Sequence, residues 1–466
     1  MTTDYSVNVR AVALDVLTEV LENGAFSHLV LRQALSKYGY LEKSQRAFLT
    51  RLVQGCIARK LEMDYRIDSV SSVKAEKMKP VIRTLLRMTA YQIWYMDHVP
   101  DHAACSEAVK LAGKRGFAQL KGFVNGVSRG LCREKQRERA MAETASPKES
   151  MPALPFAVRY SIPAWLDAYL ADYYDETARE TIYRSCLKEE EHGGGVTVRC
   201  NVSKASEHEI LKSLVSQGVE AEKIPGIQHA FHLKGYDTPD RLEAFIRGEI
   251  QVQDGSSILA GQAAAPKPGD FCIDVCAAPG GKSLHMADQL RGTGMVESCD
   301  LTPQKVMLIE ENIRRCGFSN MRAMVADASV YRPDIAQKAD VVMADLPCSG
   351  LGVMGRKPDI KYQMSREKME SLVALQRKIL SVVQAYVKPG GVLIYSTCTI
   401  NPAENLENVQ WLTSRYPFCL ESLEPYLSRK DFGETVEDGY IQLLPENGRT
   451  GFFIARLTKF SETGTG

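Results

Sequence analysis

Residues 271–283 read FCIDVCAAPGGKS, and the fold turns on this stretch. An apolar strand pattern runs into Ala-Ala-Pro-Gly-Gly, and a helical pattern begins behind the glycines. A buried strand, a Gly-rich turn and a helix together open a parallel sheet covered on both faces. The alternation repeats toward the C-terminus, with candidate strands GMVESCD (294–300), MRAMVAD (321–327), ADVVMADLP (339–347), GGVLIYSTC (390–398) and GFFIARLTK (451–459). Helical stretches such as PQKVMLIEENIRRC (303–316) and SREKMESLVALQRKILSVVQAYV (365–387) lie between them. In such sheets ligands bind at the carboxyl ends of the strands, so functional residues are expected just after each strand.

The rest of the chain reads differently. Residues 1–135 are helical: Val9, Val12, Ala13, Val16, Leu17 and Val20 recur at helical spacing, and Pro80 stands at a helix start. The segment 136–155 is polar, charged and proline-containing, and reads as a linker. Residues 156–250 mix a helical stretch behind Pro163 with the alternating strand VTVRCNV, as in a small α+β domain. Residues 251–460 form the α/β domain. The expected architecture is an all-α bundle, a small α+β domain and a Rossmann-like α/β domain.

Charge separates these parts. The chain carries a formal net charge of +1, but residues 1–140 hold 23 Lys and Arg against 14 Asp and Glu. A basic module joined to an acidic one suits a polyanionic partner. None of the twelve cysteines forms a C-x-x-C pair, which disfavours a structural zinc site, and no metal is expected. No apolar stretch approaches a membrane span, and the start lacks a secretory pattern. The expectation is a cytoplasmic protein with free thiols, no membrane partner and a monomeric state.

The strand ends carry the candidate site. In the first loop, Cys276, Ala277, Ala278, Pro279, Gly280, Gly281 and Lys282 let backbone approach a ligand. The end of this loop imitates a phosphate-binding G-x-x-x-x-G-K-[ST] motif, but the position of its first glycine is held by Cys276. Asp300, after the second strand, is placed to bind a ribose diol. Asp327, after the third, suits an adenine amine or a helix cap. The fourth strand runs into Asp345-Leu-Pro-Cys348, and the fifth ends at Cys398. Neighbouring strands lie about 4.8 Å apart, so both thiols can face one cleft. Cys200, Cys272, Cys299 and Cys316 read as buried and inert. A redox disulfide between Cys348 and Cys398 is the structural alternative.

Thiol plus carboxylate suits methyl transfer to a pyrimidine C5. That carbon is a poor nucleophile until a thiolate adds at C6; an acid then stabilises the ring charge, and a base removes the C5 proton. Methylation of an exocyclic amine needs no thiol. These residues do not rank the two cysteines.

DVCAAPGGKS, DLPCSGLGVMGRKPDIKY and YSTCTINPAENLENV resemble three signature motifs of the RNA cytosine-C5 methyltransferases. KMKPVIRTLLRMTAYQIWYMDHVP and EAVKLAGKRGFAQLKGFVNGVSRG resemble the antitermination factor NusB, a domain fused to the members that act on small-subunit ribosomal RNA. The resemblance implies S-adenosyl-L-methionine as cofactor and one cytosine of small-subunit ribosomal RNA as target. It also implies that Cys398 is the nucleophile and that Cys348 assists product release. Cys276 to Lys282, Asp300, Asp327 and Asp345 map to cofactor-binding positions, with Asp345 also approaching the base. Gly355 to Asp359 resembles a target-loop segment, and Gln253-Asp254 a structural support for the first motif. The same chemistry on transfer RNA and a non-catalytic RNA-binding scaffold are the rival readings.

Overall fold

The computed structural model describes residues 7–144, 154–188, 195–446 and 449–460. The chain divides into two compact units. The first comprises Met1–His192 with Met354–Gln363, and the second Gly193–Val353 with Met364–Gly466.

The first unit is a helical bundle of Val9–Leu21, Ser27–Lys37, Lys43–Ala58, Lys60–Val70, Pro80–Tyr95, Asp101–Lys114 and Lys121–Thr144. The Asn8 side chain accepts from the Ala11 N–H at the start of the first helix, and Glu42 with Gln45 forms a capping box on the third. Val12, Ala13, Val16, Leu17 and Val20 face inward together with Leu49, Leu52, Leu86, Tyr91, Leu111 and Leu131. Each such side chain contributes roughly 1.5–3 kcal/mol by leaving water. Buried acids are paired with arginines: Arg87 bridges Glu22 at 3.0 Å and Asp64 at 2.6 Å, and Arg59 and Arg66 flank Glu62.

Two boundaries differ from the sequence reading. The helix Lys121–Thr144 runs through the first part of the expected linker, because its charged residues prolong the helix without needing a buried face. The remainder of that linker, 145–153, lies outside the described residues. The helices Phe156–Arg159, Ala164–Ala171 and Glu176–Lys188 group with the bundle rather than with the following strands. Ser161 shows why: its hydroxyl accepts from the Glu62 N–H at 3.1 Å, and its carbonyl accepts from Tyr362 Oη at 3.2 Å. Residues 354–363, which include the GRKPD loop, also belong to this unit. Asp359 is buried there and accepts from the Ser27 N–H at 3.2 Å, while Lys361 donates to the Ala58 carbonyl at 2.8 Å.

The second unit contains two sheets. The smaller runs β2-β3-β1-β4, all antiparallel, with β1 Val196–Cys200, β2 Glu220–Lys223, β3 Ala230–Lys234 and β4 Ile250–Val252. It is tied to the helix Gly281–Gln289 by a buried Arg199–Asp288 pair at 3.2 Å. The larger sheet comprises β5 Phe271–Asp274, β6 Met295–Asp300, β7 Met321–Val325, β8 Ala339–Asp345, β9 Val387–Thr397, β10 Phe418–Leu420, β11 Tyr440–Leu443 and β12 Phe452–Lys459. Its order is β10-β12-β9-β8-β5-β6-β7, with β11 added on β12. β7, β6, β5, β8 and β9 are parallel, and β12 joins β9 antiparallel. All six expected strands are present in this Rossmann-like domain. β10 and β11 were not expected, since three or four residues leave no alternation to read. Separate apolar clusters cover the two faces. Strand order reverses between β5 and β8, so the loops behind these two strands bound the crevice where such sheets bind ligands.

A candidate active site at the strand ends

The loop behind β5 is stitched in place from several sides. Gly280 has φ +106°, a conformation that favours glycine, and the helix Gly281–Gln289 starts directly behind it. The Ala277 N–H donates to the Cys299 carbonyl at 2.8 Å, and the exposed Pro279 accepts from Asn312 Nδ2 at 3.0 Å. Cys276 is half-buried, and burial pushes its thiol above the ordinary range. Gln253 lies 3.4 Å from where a Cβ on Gly281 would stand, and its side-chain hydrogen bonds go to Arg199 and Ser257 outside the loop. Asp254 caps the helix Gly255–Ala264 and accepts from Thr450 Oγ1 at 2.9 Å.

Asp300 ends β6 and is buried. It accepts from the Ala278 N–H at 3.0 Å and pairs with Lys305 at 2.9 Å, joining the first loop to the second strand end. Lys305 is more than half exposed, so it can leave Asp300 to a ligand hydroxyl. Asp327 is exposed and accepts from the Ser329 N–H at 2.8 Å; this bond draws its carboxyl below the usual range. Asp274 ends β5 inside the protein, where Ser283 donates to Oδ2 at 2.7 Å and Oδ1 has no hydrogen-bond partner among the described residues. Burial pushes this carboxyl up to about 7.

The register of β8 and β9 sets Asp345 opposite Ser396. Asp345 accepts from Ser396 Oγ at 2.8 Å and from Lys282 Nζ at 2.7 Å. Burial opposes the charge of Lys282, but Asp345 outweighs it and raises the ammonium pKa. Just beyond, Cys348 Sγ and Cys398 Sγ lie 3.3 Å apart, both half-buried. Contact with Cys398, followed by burial, holds the Cys348 thiol well above the ordinary range, so Cys348 keeps its proton. The site thus joins a lysine–carboxylate pair to two touching sulfurs. The four cysteines read as inert are all buried, and burial pushes Cys200 and Cys299 up to about 12.

One group was missed. Glu404, Asn401, Asn405 and Asn408 are buried behind the two cysteines, although the run NPAEN reads locally as a turn. Glu404 accepts from the Ser349 N–H at 2.8 Å and from Gln376 Nε2 at 2.9 Å. A cluster of amides and an acid immediately after a strand-end cysteine was the available signal.

Comparison with known proteins follows the two-part fold. Residues 262–458 match the family described as 16S rRNA methyltransferase RsmB/F, and residues 7–133 match the NusB family. The probable ribosomal RNA small subunit methyltransferase B of Bacillus subtilis (strain 168) is 36% identical over 460 residues, covering 97% of this chain and 99% of that one. The ribosomal RNA small subunit methyltransferase B of Vibrio vulnificus (strain YJ016) is 28% identical over 461 residues, covering 97% and 100%. Among solved structures, PH0851 superposes with a TM-score of 0.78 at 24% identity, covering 97% of this chain and 99% of that one. NSun6 from Pyrococcus horikoshii superposes with a TM-score of 0.56 at 22% identity, covering 64% and 99%.

Proposed function

The chain belongs to the 16S rRNA methyltransferase RsmB/F family, and from that premise we propose that it methylates C5 of one cytosine in small-subunit ribosomal RNA through a covalent cysteine intermediate. It is an S-adenosylmethionine-dependent methyltransferase with a NusB-like helical domain. The observation that carries the finer reading is the pair of sulfurs 3.3 Å apart at the ends of adjacent strands, beside Lys282 and Asp345. An amine methyltransferase has no use for it.

The residues behind β5, β6 and β7 fit an adenosine-containing donor. The loop Cys276 to Lys282 offers backbone at close range, Asp300 a buried carboxylate for a diol, and Asp327 an exposed acceptor for an amine. Bound S-adenosylmethionine supplies an electrophilic methyl group. The protein's own task is to make C5 nucleophilic and then restore the ring. Cys398 attacks C6 as a thiolate, forming the S–C6 bond and moving the C5=C6 electron pair toward C5. Lys282 lies close enough to this thiol to favour its anion. Asp345, a carboxylate paired with Lys282, faces the base and accepts a hydrogen bond from the ring nitrogen once solvent protonates it, which neutralises the charge that thiolate addition pushes into the ring. The C5 electron pair takes the methyl group as its bond to the donor sulfur breaks; a solvent base then accepts the C5 proton, and the electron pair left at C5 re-forms C5=C6 and expels the Cys398 thiolate. Cys348, touching that sulfur, assists its release. A base paired in a duplex is out of reach, so the target is an exposed cytosine. The helical unit contributes phosphate contacts, and affinity should fall with salt.

The test is transfer of labelled methyl from S-adenosylmethionine to unmethylated small-subunit rRNA, large-subunit rRNA and transfer RNA, followed by digestion to nucleosides. Label recovered as 5-methylcytidine from small-subunit rRNA alone is the expected result. Label on transfer RNA overturns the substrate, and label on any other nucleoside overturns the chemistry.

A further inference from the structure

Glu404 is fully buried, yet among the described residues its hydrogen bonds all come from neutral donors. Oε2 accepts from the Ser349 N–H at 2.8 Å and from Gln376 Nε2 at 2.9 Å. Oε1 accepts from Asn401 Nδ2 at 2.9 Å and from the Ser349 hydroxyl. These donors are not scattered. Ser349 directly follows Cys348, and Asn401 follows Cys398 by three positions. The Ser349 hydroxyl also meets Thr399 Oγ1 at 2.7 Å, and Thr399 directly follows Cys398. Gln376, on the helix Arg366–Val383, donates to the Pro347 carbonyl at 2.8 Å as well, so one amide ties Glu404 to the residue before Cys348. Asn408 fixes that amide in turn, donating to Gln376 Oε1 at 2.8 Å.

Burying a carboxyl group without a cation is costly even when hydrogen-bonded. An apolar side chain of similar size would pack between the two loops without that cost, but it would not join them. We propose that Glu404 is a positioning residue: its carboxyl group fastens the Cys348 loop to the Cys398 loop and so holds the two sulfurs in contact. The proposal rests on the reading of these cysteines as the working pair. The same arrangement assists the division of labour between them. Contact with Cys398 and burial are the main causes of the raised Cys348 thiol, and the nearby Glu404 charge acts in the same direction.

Two substitutions separate this role from general support of the fold. Glu404→Gln replaces one acceptor oxygen with an N–H donor. Placed at Oε2, that donor faces two N–H donors and both bonds are lost; placed at Oε1, it faces the Asn401 amide while the Ser349 hydroxyl can turn to accept, so one bond is lost. Ser349→Ala removes only the hydroxyl and keeps the backbone bond to Oε2. The probe is phenylarsine oxide, a trivalent arsenical that bridges neighbouring thiols, applied to the full chain and located by peptide mapping. A second pair, Cys105 and Cys132 of the helical unit, lies 3.5 Å apart and serves as an internal standard. Bridging of Cys348 to Cys398 should fall about tenfold in Glu404→Gln and about threefold in Ser349→Ala, the scale of one or two lost hydrogen bonds. Bridging of Cys105 to Cys132 should not change. No bridging of Cys348 to Cys398 in the unsubstituted protein, undiminished bridging in both variants, or a parallel loss at both pairs overturns the proposal.

A second readout uses rRNA and S-adenosylmethionine. Displacing Cys348 while leaving Cys398 reactive should make both variants accumulate an enzyme–RNA adduct that survives denaturation, the outcome also expected of Cys348→Ala. If bridging falls as expected but no variant, Cys348→Ala included, forms an adduct, the fastening role stands and the covalent chemistry fails. If adduct accumulates with bridging undiminished, the chemistry stands and the fastening role fails.

Discussion

The helical unit and the sheet edge bury polar groups in opposite ways. Among the bundle's helices, Glu22 and Glu62 meet cations, while Asp359 of the 354–363 segment accepts from Ser27. Burial alone would raise the Glu22 carboxyl, but Arg83 and Arg87 bring it below its ordinary value. Glu62 lies between Arg59 and Arg66, with Tyr95 Oη donating at 2.6 Å. At the sheet edge, among the described residues, Glu404 has only neutral donors and Asp274 has one oxygen without a partner. The cysteines repeat the contrast. Cys105 and Cys132 touch between two helices, whereas Cys348 and Cys398 touch at strand ends beside a lysine and two acids. Proximity of thiols therefore does not make a site; unbalanced charge at an open strand end does. Paired charges hold a fold, and incompletely paired ones remain available for chemistry.

That contrast can be broken in several places, beginning with the largest effect. Cys398→Ala should lower methyl transfer by at least about a thousandfold in single-turnover assays with labelled donor, because no nucleophile remains. Arg87→Ala should destabilise the helical unit by about 1–3 kcal/mol in denaturant titration, since the half-buried Asp64 loses its cation while Glu22 keeps Arg83. Cys348→Ala should slow turnover about a hundredfold and leave a denaturation-resistant RNA adduct on a gel; an adduct in Cys398→Ala instead would reverse the two roles.

The next effect is a dependence on pH. Asp274 has its pKa raised to about 7 in the folded chain, against roughly 3.9 in an unfolded one. Between these values the folded state binds more protons, so its stability falls as pH rises through the window. Relative to Asp274→Asn, the unsubstituted protein should lose about 2–4 kcal/mol between pH 4 and 7 in unfolding titrations. A flat difference would mean that Asp274 is charged and paired in the fold. The smallest effect belongs to Cys105→Ser, which should change turnover by less than about twofold, because nothing around that pair is arranged for chemistry.

Much of this was legible in the chain. The six expected strands, the Gly-rich loop behind the first and the acids and thiols behind the others follow from their apolar runs and from the rule that ligands sit at strand ends. The boundary of the small α+β region was not legible. The 156–188 helices resemble a lead-in to the strand that follows, and contacts such as those of Ser161, bonded to Glu62 and Tyr362, assign them to the bundle. Asp359 misleads in the same way, since its motif neighbours lie in the sheet domain while its own partner is Ser27.

The sequence by itself determined the order of elements, the strand-end placement of Asp300, Asp345, Cys348 and Cys398, and the basic character of the helical part. Side-chain period and turn chemistry are local, and local patterns survive in one dimension. Only the tertiary structure decided that two sulfurs 50 positions apart meet at 3.3 Å. It alone decided that Lys282 pairs with Asp345, and that Glu404 lies behind both cysteines. These contacts depend on strand register and on which neutral donors converge on a buried acid, and neither is written in the residues adjacent to it.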